Sequence, residues 1–351
     1  MTANPLTSRF IRACWRQPVD RIPVWFMRQA GRYQPSYRAL RRQYSLLEIA
    51  HRPELIQQVT VTAVEDLDVD AAILFSDIMV PLEPMGIGFD IQEAVGPVVH
   101  EPIRTIGQVE RLKPVNPSRD LDFVLEGIER TVAALGQVPL IGFSGGPFTL
   151  ASYVIEGGPS RTYQWTKSIM WNAPNVWSGL MERLAAMVVT YLTAQVAAGA
   201  GAVQVFDSWI GALSQPDYER FVEPYMTTIF AQLKALQVPL IYFGVGTAHL
   251  LPAMARTGAT VLGVDWRTPL GHVRRLLGDA WALQGNLDPV RLLAGWPAVK
   301  AGAEDILRDM GSQPGFIFNL GHGVPKETDP VTLRQLVDWI HHWPVEPAPM
   351  K

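Results

Sequence analysis

The chain has 351 residues, of which 48% are hydrophobic and 18% charged, so it is long and apolar enough to bury a large core. Its net charge of −3 and the absence of any lysine-rich run argue against a surface for nucleic acid or for an anionic membrane. The single cysteine, Cys14, excludes an intramolecular disulfide, a multi-cysteine zinc site and a cysteine-ligated iron–sulfur cluster.

Residues 1–20 are predicted to form an N-terminal extension before the first strand. This segment has no apolar core of signal-peptide length, and no apolar run in the chain reaches transmembrane length. We therefore expect a cytoplasmic protein without a membrane span. At the other end, residues 345–351 are expected to form a flexible tail.

The first predicted strand, Ile22–Met27, ends at two arginines four residues apart, Arg28 and Arg32. A cation at the end of a buried strand is costly unless an anion pairs with it. Two such cations predict a ligand that carries several carboxylates or phosphates. The alternative is that one or both arginines pair with an internal aspartate or glutamate.

Strand-like and helix-like segments alternate along the rest of the chain. Continuous apolar runs of this kind are typical of parallel strands covered on both faces, and their repetition predicts a (β/α)8 barrel or a doubly wound sheet. No Pro/Gly/Ser-rich linker divides the chain, so we predict one domain over residues 1–351. The predicted strands are Ile22–Met27, Ala71–Phe75, Pro139–Phe143, Ala202–Phe206, Pro239–Phe243, Thr260–Val264, Trp281–Gln284 and Gly315–Phe318; the predicted helices are Leu46–Leu67, Leu121–Leu135, Pro174–Ala198, Pro216–Leu236, Pro289–Met310 and Pro330–Trp339.

Two long connections exceed what a barrel of about 250 residues needs. The connection after strand 2 contains two short extended pieces, Ile87–Ile91 and Pro97–His100, which predict a hairpin. The connection after strand 3, Ala151–Trp171, is interpreted as a lid.

Polar or glycine-rich clusters follow every predicted strand. In a (β/α)8 barrel all these positions lie on the face where the active site is built. The alternative is that the aspartates and serines only cap helices, which is strongest for Asp288 and Asp329, each directly before a proline. In strand order the clusters are Arg28 and Arg32; Ser76 and Asp77; Ser144, Gly145 and Gly146; Asp207 and Ser208; Gly244 and Gly246; Asp265; Asn286 and Asp288; and Asn319, Gly321, His322 and Gly323.

The segment Gly142–Gly146, GFSGG, matches the G-x-S-x-G elbow of serine hydrolases, and Asp265 or Asp288 followed by His322 would complete the order of a triad. The plainer interpretation is a tight turn where glycines let the backbone approach a ligand. His322 is flanked by glycines that leave its ring accessible to a ligand, and no histidine shows metal-ligand spacing.

Five motifs in this order resemble the uroporphyrinogen decarboxylase family. They are PVWFMRQAGRY at the first strand, FSDIMVPLEPMG at the second, GFSGGPFTLASYVIEGG at the third, FDSWIGALS at the fourth and NLGHGV at the eighth. The resemblance spans nearly the whole chain. It implies a single α/β domain, a (β/α)8 TIM barrel with the N-terminal extension and long loops after strands 2 and 3, assembled as a homodimer.

The resemblance also implies an activity, which is removal of carbon dioxide from four acetate side chains of uroporphyrinogen III to give coproporphyrinogen III. This carboxy-lyase (decarboxylase) reaction belongs to haem and chlorophyll biosynthesis and needs no metal or organic cofactor. Carried over by position, the catalytic residues are Asp77, Arg28, Arg32 and Tyr153. The residues that bind the tetrapyrrole are Met27, Arg28, Gln29, Ala30, Gly31, Arg32, Asp77, Tyr153, Ser208 and His322.

Three other functions remain open at this point. A related methyltransferase barrel would use zinc held by cysteine and histidine, which the lack of a cysteine late in the chain disfavours. A serine hydrolase would use Ser144 as its nucleophile. A non-catalytic tetrapyrrole carrier would share the same polyanion pocket.

Overall fold

The computed structural model describes residues 5–92, 95–311 and 313–345, so that all but the first residue of the predicted tail, 345–351, lies outside the described residues. Short 3₁₀ helices occur at Pro5–Thr7, Val80–Leu82, Ile210–Ala212, Lys234–Leu236 and Pro289–Leu293. The strands are β1 (Ala72–Ile73), β2 (Phe89–Gln92), β3 (Gly96–Val99), β4 (Leu140–Gly145), β5 (Ala202–Phe206), β6 (Leu240–Phe243), β7 (Val261–Gly263), β8 (Ala282–Leu287) and β9 (Phe316–Leu320). The α-helices are α1 (Arg9–Cys14), α2 (Pro35–Arg41), α3 (Leu46–Ala50), α4 (Pro53–Leu67), α5 (Ile106–Glu110), α6 (Pro117–Asp120), α7 (Asp122–Leu135), α8 (Pro147–Glu156), α9 (Gln164–Asn172), α10 (Pro174–Ala197), α11 (Gln215–Phe221), α12 (Glu223–Leu233), α13 (Leu251–Arg256), α14 (Leu270–Leu277), α15 (Trp296–Met310) and α16 (Pro330–His341).

Seven strands form one parallel sheet in the order β1-β4-β5-β6-β7-β8-β9. Every residue of β4, β6, β8 and β9 is buried, as expected for strands that helices cover on the outside. Seven of the eight predicted strands are thereby confirmed, with ends within three residues of the predicted ones. Because the strands are parallel, their carboxyl ends all meet at one edge of the sheet.

The first predicted strand, Ile22–Met27, is present only as a single bridge between Val24 and Phe318. Pro23 has no N–H, and side chains take most of the other donors: Val24 donates to Asp70 (2.9 Å), Phe26 to Gln29 (3.2 Å) and Met27 to Asn319 (3.2 Å). Backbone bonds nevertheless join the segment to both outer strands. Phe318 N–H donates to the Pro23 carbonyl (2.9 Å), and Asp70 N–H, just before β1, donates to the Val24 carbonyl (2.8 Å).

A row of buried polar side chains shows that the sheet curls. Gln284 on β8 donates to Gln204 on β5 (3.1 Å), although two strands lie between them in the sheet. The Trp25 indole N–H donates to the other amide atom of Gln284, Oε1 (2.9 Å). The row therefore ties the first segment, β8 and β5 together across the interior, where an unpaired amide would be costly.

The connection after β1 contains the expected hairpin, with β2 and β3 paired antiparallel from Phe89 opposite Val99 to Gln92 opposite Gly96. The connection after β4 is more helical than expected. α8 begins at Pro147, a favourable first helical residue, so only residues 157–163 of the predicted lid separate it from α9. No helix within the described ranges is both long and apolar enough to cross a membrane.

Three predicted helices are interrupted where the backbone has to turn. Leu46–Leu67 is divided at Arg52, which is extended before Pro53, as the residue preceding a proline tends to be. Pro216–Leu236 is divided at Val222, before the turn that carries Pro224. The segment after Asp288 starts as a 3₁₀ helix and becomes α15 only at Trp296.

The amino-terminal extension covers the end of the sheet opposite the polar clusters. Side chains of Leu6 and Ile11 lie within 4 Å of the Cβ position at Gly201, directly before β5. Cys14, on the same helix as Ile11, is 1% exposed, and burial raises the pKa of its thiol.

Asp70 is the centre of an ion cluster at that same end. Its carboxylate accepts bonds from Arg9 (3.2 Å), Arg21 (3.1 Å), His341 Nε2 (2.8 Å) and the Val24 N–H (2.9 Å). These partners lower its pKa despite its burial. One carboxylate thus connects the extension, the first segment and α16.

Candidate active site

The predicted site residues lie where the strands end. Asp77 follows β1, Ser208 follows β5 and His322 follows β9, while Arg28 follows the Pro23–Trp25 segment. Tyr153 is on α8, which begins directly after β4. The parallel sheet therefore brings residues from five separate parts of the chain to one edge.

Arg28 has an unusual backbone conformation, and its guanidinium pairs with no carboxylate among the described residues. Its φ of +60° lies in the left-handed region, which a non-glycine residue adopts at a cost and which is frequent at functional sites. Its side chain runs so close over Gly323 that a Cβ there would collide with it. In the described parts of the chain neither Arg28 nor Arg32 forms an ion pair with a carboxylate, so the internal pairing considered above is not found.

Asp77 is half-buried, and its carboxylate interacts with the positive charge of Arg28. Its Oδ1 accepts the Met79 N–H (2.9 Å), which fixes the carboxyl in the turn after β1. The side chain is still reached by solvent, but surrounding protein atoms desolvate it and raise its pKa, while Met79 and Arg28 act in the opposite direction. The ionised carboxylate would therefore be stabilised by any cation that binds beside it.

Tyr153 shares this electrostatic environment. Burial, together with the nearby Asp77 charge, raises its pKa to about 12, and Arg28 partly opposes the shift. Its ring packs on the indole of Trp209, with the ring centroids 4.1 Å apart and the planes inclined by 33°. Ser208 directly precedes Trp209, so the indole that packs on Tyr153 belongs to the residue after Ser208.

His322 is a neutral imidazole in this site. Burial lowers its pKa to about 4, with Arg28 and Arg267 contributing in the same direction. Its Nδ1 accepts the Gly323 N–H (2.7 Å), so the proton of the neutral ring is on Nε2, which can donate to a ligand.

Arg32 lies on the same side as Asp77. Both influence Tyr37, a buried residue of α2 whose pKa is raised chiefly by burial, with Arg32 lowering and Asp77 raising it. Arg32 itself is exposed at the surface. It is therefore accessible to the outer part of a large anionic ligand.

The residue before Arg28 and the three residues between the two arginines differ in accessibility. Met27 and Gln29 are 4% and 1% exposed, whereas Ala30 and Gly31 are half-buried. The Gln29 amide accepts from Phe26 N–H and donates to the carbonyl of the residue before β1 (3.2 Å each). Gln29 therefore supports the loop that carries Arg28.

Sequence reasoning listed Asp207 among the strand-end residues but assigned it no role, and it missed Thr149. Asp207 is fully buried, and its Oδ1 accepts both the Thr149 N–H (2.8 Å) and the Thr149 hydroxyl (2.6 Å). Burial raises its pKa to about 6. Its Oδ2 makes no hydrogen bond of ordinary geometry with the described residues, although the Tyr242 hydroxyl lies beside the carboxyl. The only signal in the sequence was the acid directly before Ser208.

The strand ends do not assemble a serine hydrolase. Ser144 is 1% exposed, and its hydroxyl donates to the adjacent Gly145 carbonyl (3.2 Å). Asp265 pairs with Arg267 (2.7 Å), and Asp288 caps the following 3₁₀ helix by accepting Val290 N–H (3.0 Å). The second predicted cap is confirmed in the same way, since Asp329 accepts the N–H of Val331 (2.9 Å).

In residues 5–92, 95–311 and 313–345, no group of three or more His, Cys, Asp or Glu side chains is arranged to hold a metal ion. A separate cleft of about 720 Å³ lies between α14 and α15 and reaches Trp266 and Arg267 at the end of β7. None of the predicted site residues lines it.

Comparison with known proteins decides the family. Residues 5–343 match the family model described as uroporphyrinogen decarboxylase (URO-D). The chain belongs to the uroporphyrinogen decarboxylase family. Among relatives named uroporphyrinogen decarboxylase, the protein of Thermobifida fusca is 53% identical over 95% of this chain and 92% of its own length. The protein of Geobacillus kaustophilus is 48% identical over 97% of this chain and 99% of its own length.

A solved structure extends the fold comparison beyond the uroporphyrinogen decarboxylase family. A methyltransferase from Methanosarcina mazei superposes with a TM-score of 0.78 over 96% of this chain and 98% of its own, at 19% identity. Identity this low indicates a shared fold only. In the present chain the only cysteine, Cys14, lies at the end of the sheet opposite the site, so no thiolate reaches the polar clusters.

Proposed function

We propose that this protein is a uroporphyrinogen decarboxylase, a carboxy-lyase that converts uroporphyrinogen III to coproporphyrinogen III by removing four acetate carboxyl groups. The observation that supports this best is a half-buried carboxylate, Asp77, which feels the charge of Arg28, a guanidinium that pairs with no carboxylate of the described residues. A polyanionic macrocycle with N–H groups at its centre needs both kinds of group. Such a substrate supplies the anions that Arg28 and Arg32 lack.

Substrate capture is assigned to the two arginines. Each guanidinium can bind a carboxylate through two parallel N–H donors, and charge-assisted bonds of this kind contribute about 1.5–3 kcal/mol each. Arg28, held by its backbone and by the path over Gly323, would engage an acetate near the reacting ring. Arg32, which like Arg28 is exposed, would engage a second carboxylate.

The chemistry needs an electron sink, and the pyrrole ring itself can serve. Protonation of a ring carbon next to the acetate-bearing carbon makes the ring cationic. The bond between the acetate methylene and its carboxyl carbon then breaks, its electron pair moves into the ring, and carbon dioxide leaves. A second proton then adds to the exocyclic carbon to form the methyl group, and loss of the first proton from the ring carbon restores the neutral pyrrole. Each carbon dioxide is thus replaced by one net proton, and the reaction balances without an external oxidant or cofactor.

Asp77 is assigned the stabilisation of that cation. Its carboxylate can accept hydrogen bonds from pyrrole N–H groups and so both centre the macrocycle and oppose the developing positive charge. Desolvation of Asp77 by the surrounding protein strengthens this interaction relative to water. Without substrate, the same desolvation makes ionised Asp77 less stable than an ionised aspartate exposed to water.

Three further side chains are assigned to orient carboxylates. His322 would donate through Nε2, and the hydroxyls of Tyr153 and Ser208 would donate from the facing side. With its pKa raised to about 12, Tyr153 stays protonated at neutral pH and remains a donor. Met27, Gln29, Ala30 and Gly31 complete the binding segment as support for the arginines.

The finer architecture and setting belong to the same proposal. The bonds from Pro23 and Val24 to the outer strands of the sheet support a closed (β/α)8 barrel in one domain over residues 1–351. We further propose a cytoplasmic homodimer that acts in haem or chlorophyll biosynthesis without metal or cofactor.

The test is anaerobic incubation of the purified protein with uroporphyrinogen III, followed by oxidation and chromatography of the porphyrins. Loss of carboxyl groups in steps from eight to four is expected. Binding without carbon dioxide release would instead favour a carrier, and labelling of Ser144 by a fluorophosphonate would favour a hydrolase. Asp77→Asn in the same assay separates a reaction at this site from a contaminating activity.

A further inference from the structure

A buried aspartate–threonine pair connects α8 to the end of β5. Asp207 is fully buried and Thr149 is 1% exposed. The Asp207 carboxylate accepts the Thr149 backbone N–H (2.8 Å) and hydroxyl (2.6 Å), so it holds the first turn of α8 at two points. Both bonds involve an acidic oxygen in a water-poor site, where such bonds are strong.

The same hydroxyl continues the connection. Thr149 Oγ also accepts the backbone N–H of Trp209 (3.1 Å), so it donates to one residue and accepts from another. Ser208 lies between Asp207 and Trp209, and both of its neighbours are therefore held by Thr149. These bonds restrain the chain on both sides of Ser208.

Trp209 contacts α8 a second time, through its side chain. Its indole packs on the Tyr153 ring at a centroid distance of 4.1 Å, and the Tyr163 ring packs on the same indole at 5.4 Å. Thr149 and Tyr153 are four residues apart on the helix and so share a face. Asp207, Thr149, Trp209 and Tyr153 thus form a closed set, which we call the clamp.

Close packing leaves the clamp little room to move. The Asp207 side chain lies against the Cα of Gly146, where any Cβ would collide with it. Gly146 N–H in turn donates to the Phe206 carbonyl (2.7 Å), directly before Asp207. The ends of β4 and β5 therefore pack against the Asp207 carboxylate and limit its movement.

We infer that Thr149 and Asp207 are positioning residues that set where Ser208 and Tyr153 present their hydroxyls to the substrate, acting through Trp209. This inference rests on the proposed function, because it concerns the residues assigned to orient substrate carboxylates. Neither hydroxyl has a hydrogen-bond partner among the contacts of the described residues, so their placement depends on the clamp and not on their own bonds. A displacement of about 1 Å in such groups can cost about 10²-fold in rate.

The test compares Thr149→Val, which removes the hydroxyl but keeps the shape, with Thr149→Ser, which keeps the hydroxyl. Thr131→Val is the matched control: Thr131 is also fully buried and its hydroxyl donates to a carbonyl (Gly127, 2.6 Å), but it lies on α7. Each variant is assayed for kcat and KM with uroporphyrinogen at a temperature well below its own unfolding midpoint.

We expect Thr149→Val to lower kcat/KM by about 10-fold or more, Thr149→Ser to stay within about threefold of wild type, and Thr131→Val to leave both constants unchanged. Unchanged kcat and KM in Thr149→Val, or an equal loss in Thr149→Ser, would overturn the inference. If Thr149→Val does not fold, Asp207→Ala against Asp207→Asn makes the same comparison, since asparagine keeps the accepting oxygen.

A readout without substrate keeps this inference separate from the proposed function. The near-ultraviolet circular dichroism of wild type minus Trp209→Leu gives the signal of Trp209 on Tyr153. Thr149→Val should lose most of that signal and Thr149→Ser should keep it; an unaltered signal in the valine variant refutes the clamp. An inactive wild type with the expected spectra would instead refute the proposed function alone.

Discussion

Replacement of Asp77 by asparagine is the most direct perturbation of the proposed site. A carboxylate about 4 Å from a developing cation contributes about 4 kcal/mol at an effective dielectric constant of about 20. Because each 1.36 kcal/mol changes a rate tenfold, loss of the whole interaction corresponds to about 10³-fold. The asparagine dipole retains part of it, so we expect Asp77→Asn to lower kcat by at least about 10²-fold.

The fold of that variant should survive, because asparagine Oδ1 can still accept the Met79 N–H that Asp77 accepts at 2.9 Å. Asp288→Asn is a matched control: Asp288 is also half-buried after a strand and also accepts the N–H two residues on, at 3.0 Å. The assay is initial-rate formation of the first decarboxylation product under anaerobic conditions. A rate for Asp77→Asn within threefold of both wild type and Asp288→Asn would remove Asp77 from the mechanism.

Four further outcomes are expected. Arg32→Ala should raise KM for uroporphyrinogen with little change in unfolding free energy, since the arginine has no carboxylate partner in the described chain; unchanged kcat and KM would make it merely structural. Arg28→Gly should abolish substrate capture while urea unfolding shows equal or higher stability, because glycine adopts the φ of +60° without the cost of about 1 kcal/mol. Asp70→Asn should lower the unfolding free energy by about 3 kcal/mol, whereas Asp20→Asn, whose side chain is 70% exposed, should cost less than about 1 kcal/mol; equal losses would contradict the burial argument. The raised pKa of Asp77 places the acid limb of kcat/KM above the pH of an ordinary aspartate, about 3.9, with activity lost as pH falls through it; Asp77→Asn should lack that limb.

Asp70 should make the folded protein less stable as the pH falls. Its pKa is lowered in the folded state by His341, the backbone and the neighbouring arginine. The stabilisation is therefore present above the unfolded pKa of about 3.9 and is lost as the pH falls toward the lowered value. Urea midpoints measured between pH 7 and pH 3 on wild type and Asp70→Asn should converge at the acid end.

The edge of the sheet that carries the site could be predicted from the sequence, because the predicted parallel strands share one sequence pattern. Each apolar run ends in polar residues, and parallel pairing brings all such ends to one side. Asp77 and His322 were located in this way without any knowledge of contacts. The residues that support Ser208 and Tyr153 were not, since the hydrogen bond between Asp207 and Thr149 joins residues 58 positions apart and leaves no local pattern.

The first strand illustrates where apolar periodicity fails. Ile22–Met27 has the composition of a buried strand, but composition does not reveal which groups take its N–H donors. Asp70, Gln29 and Asn319 take three of them, so regular pairing is limited to a bridge at Val24. Long-range side-chain competition of this kind requires coordinates.

Helix boundaries were missed for a related reason. The apolar spacing of Leu46–Leu67 continues through Arg52, although Pro53 already argues for a break there. Similar spacing hid the turn at Val222. The short helices α1 and α2 carry too few turns for periodicity to identify them.

The burial of Cys14 has a practical consequence for measurements on this protein. It is the only sulfhydryl in the chain and is 1% exposed, so thiol reagents find no target on the folded molecule. A cysteine introduced at Trp165 on α9, a position 46% exposed, would therefore be the sole attachment point for a fluorophore. Because Tyr163, two residues earlier, packs on Trp209, such a label would report in real time on changes beside the proposed site, at the loss of the contact between Trp165 and Arg104.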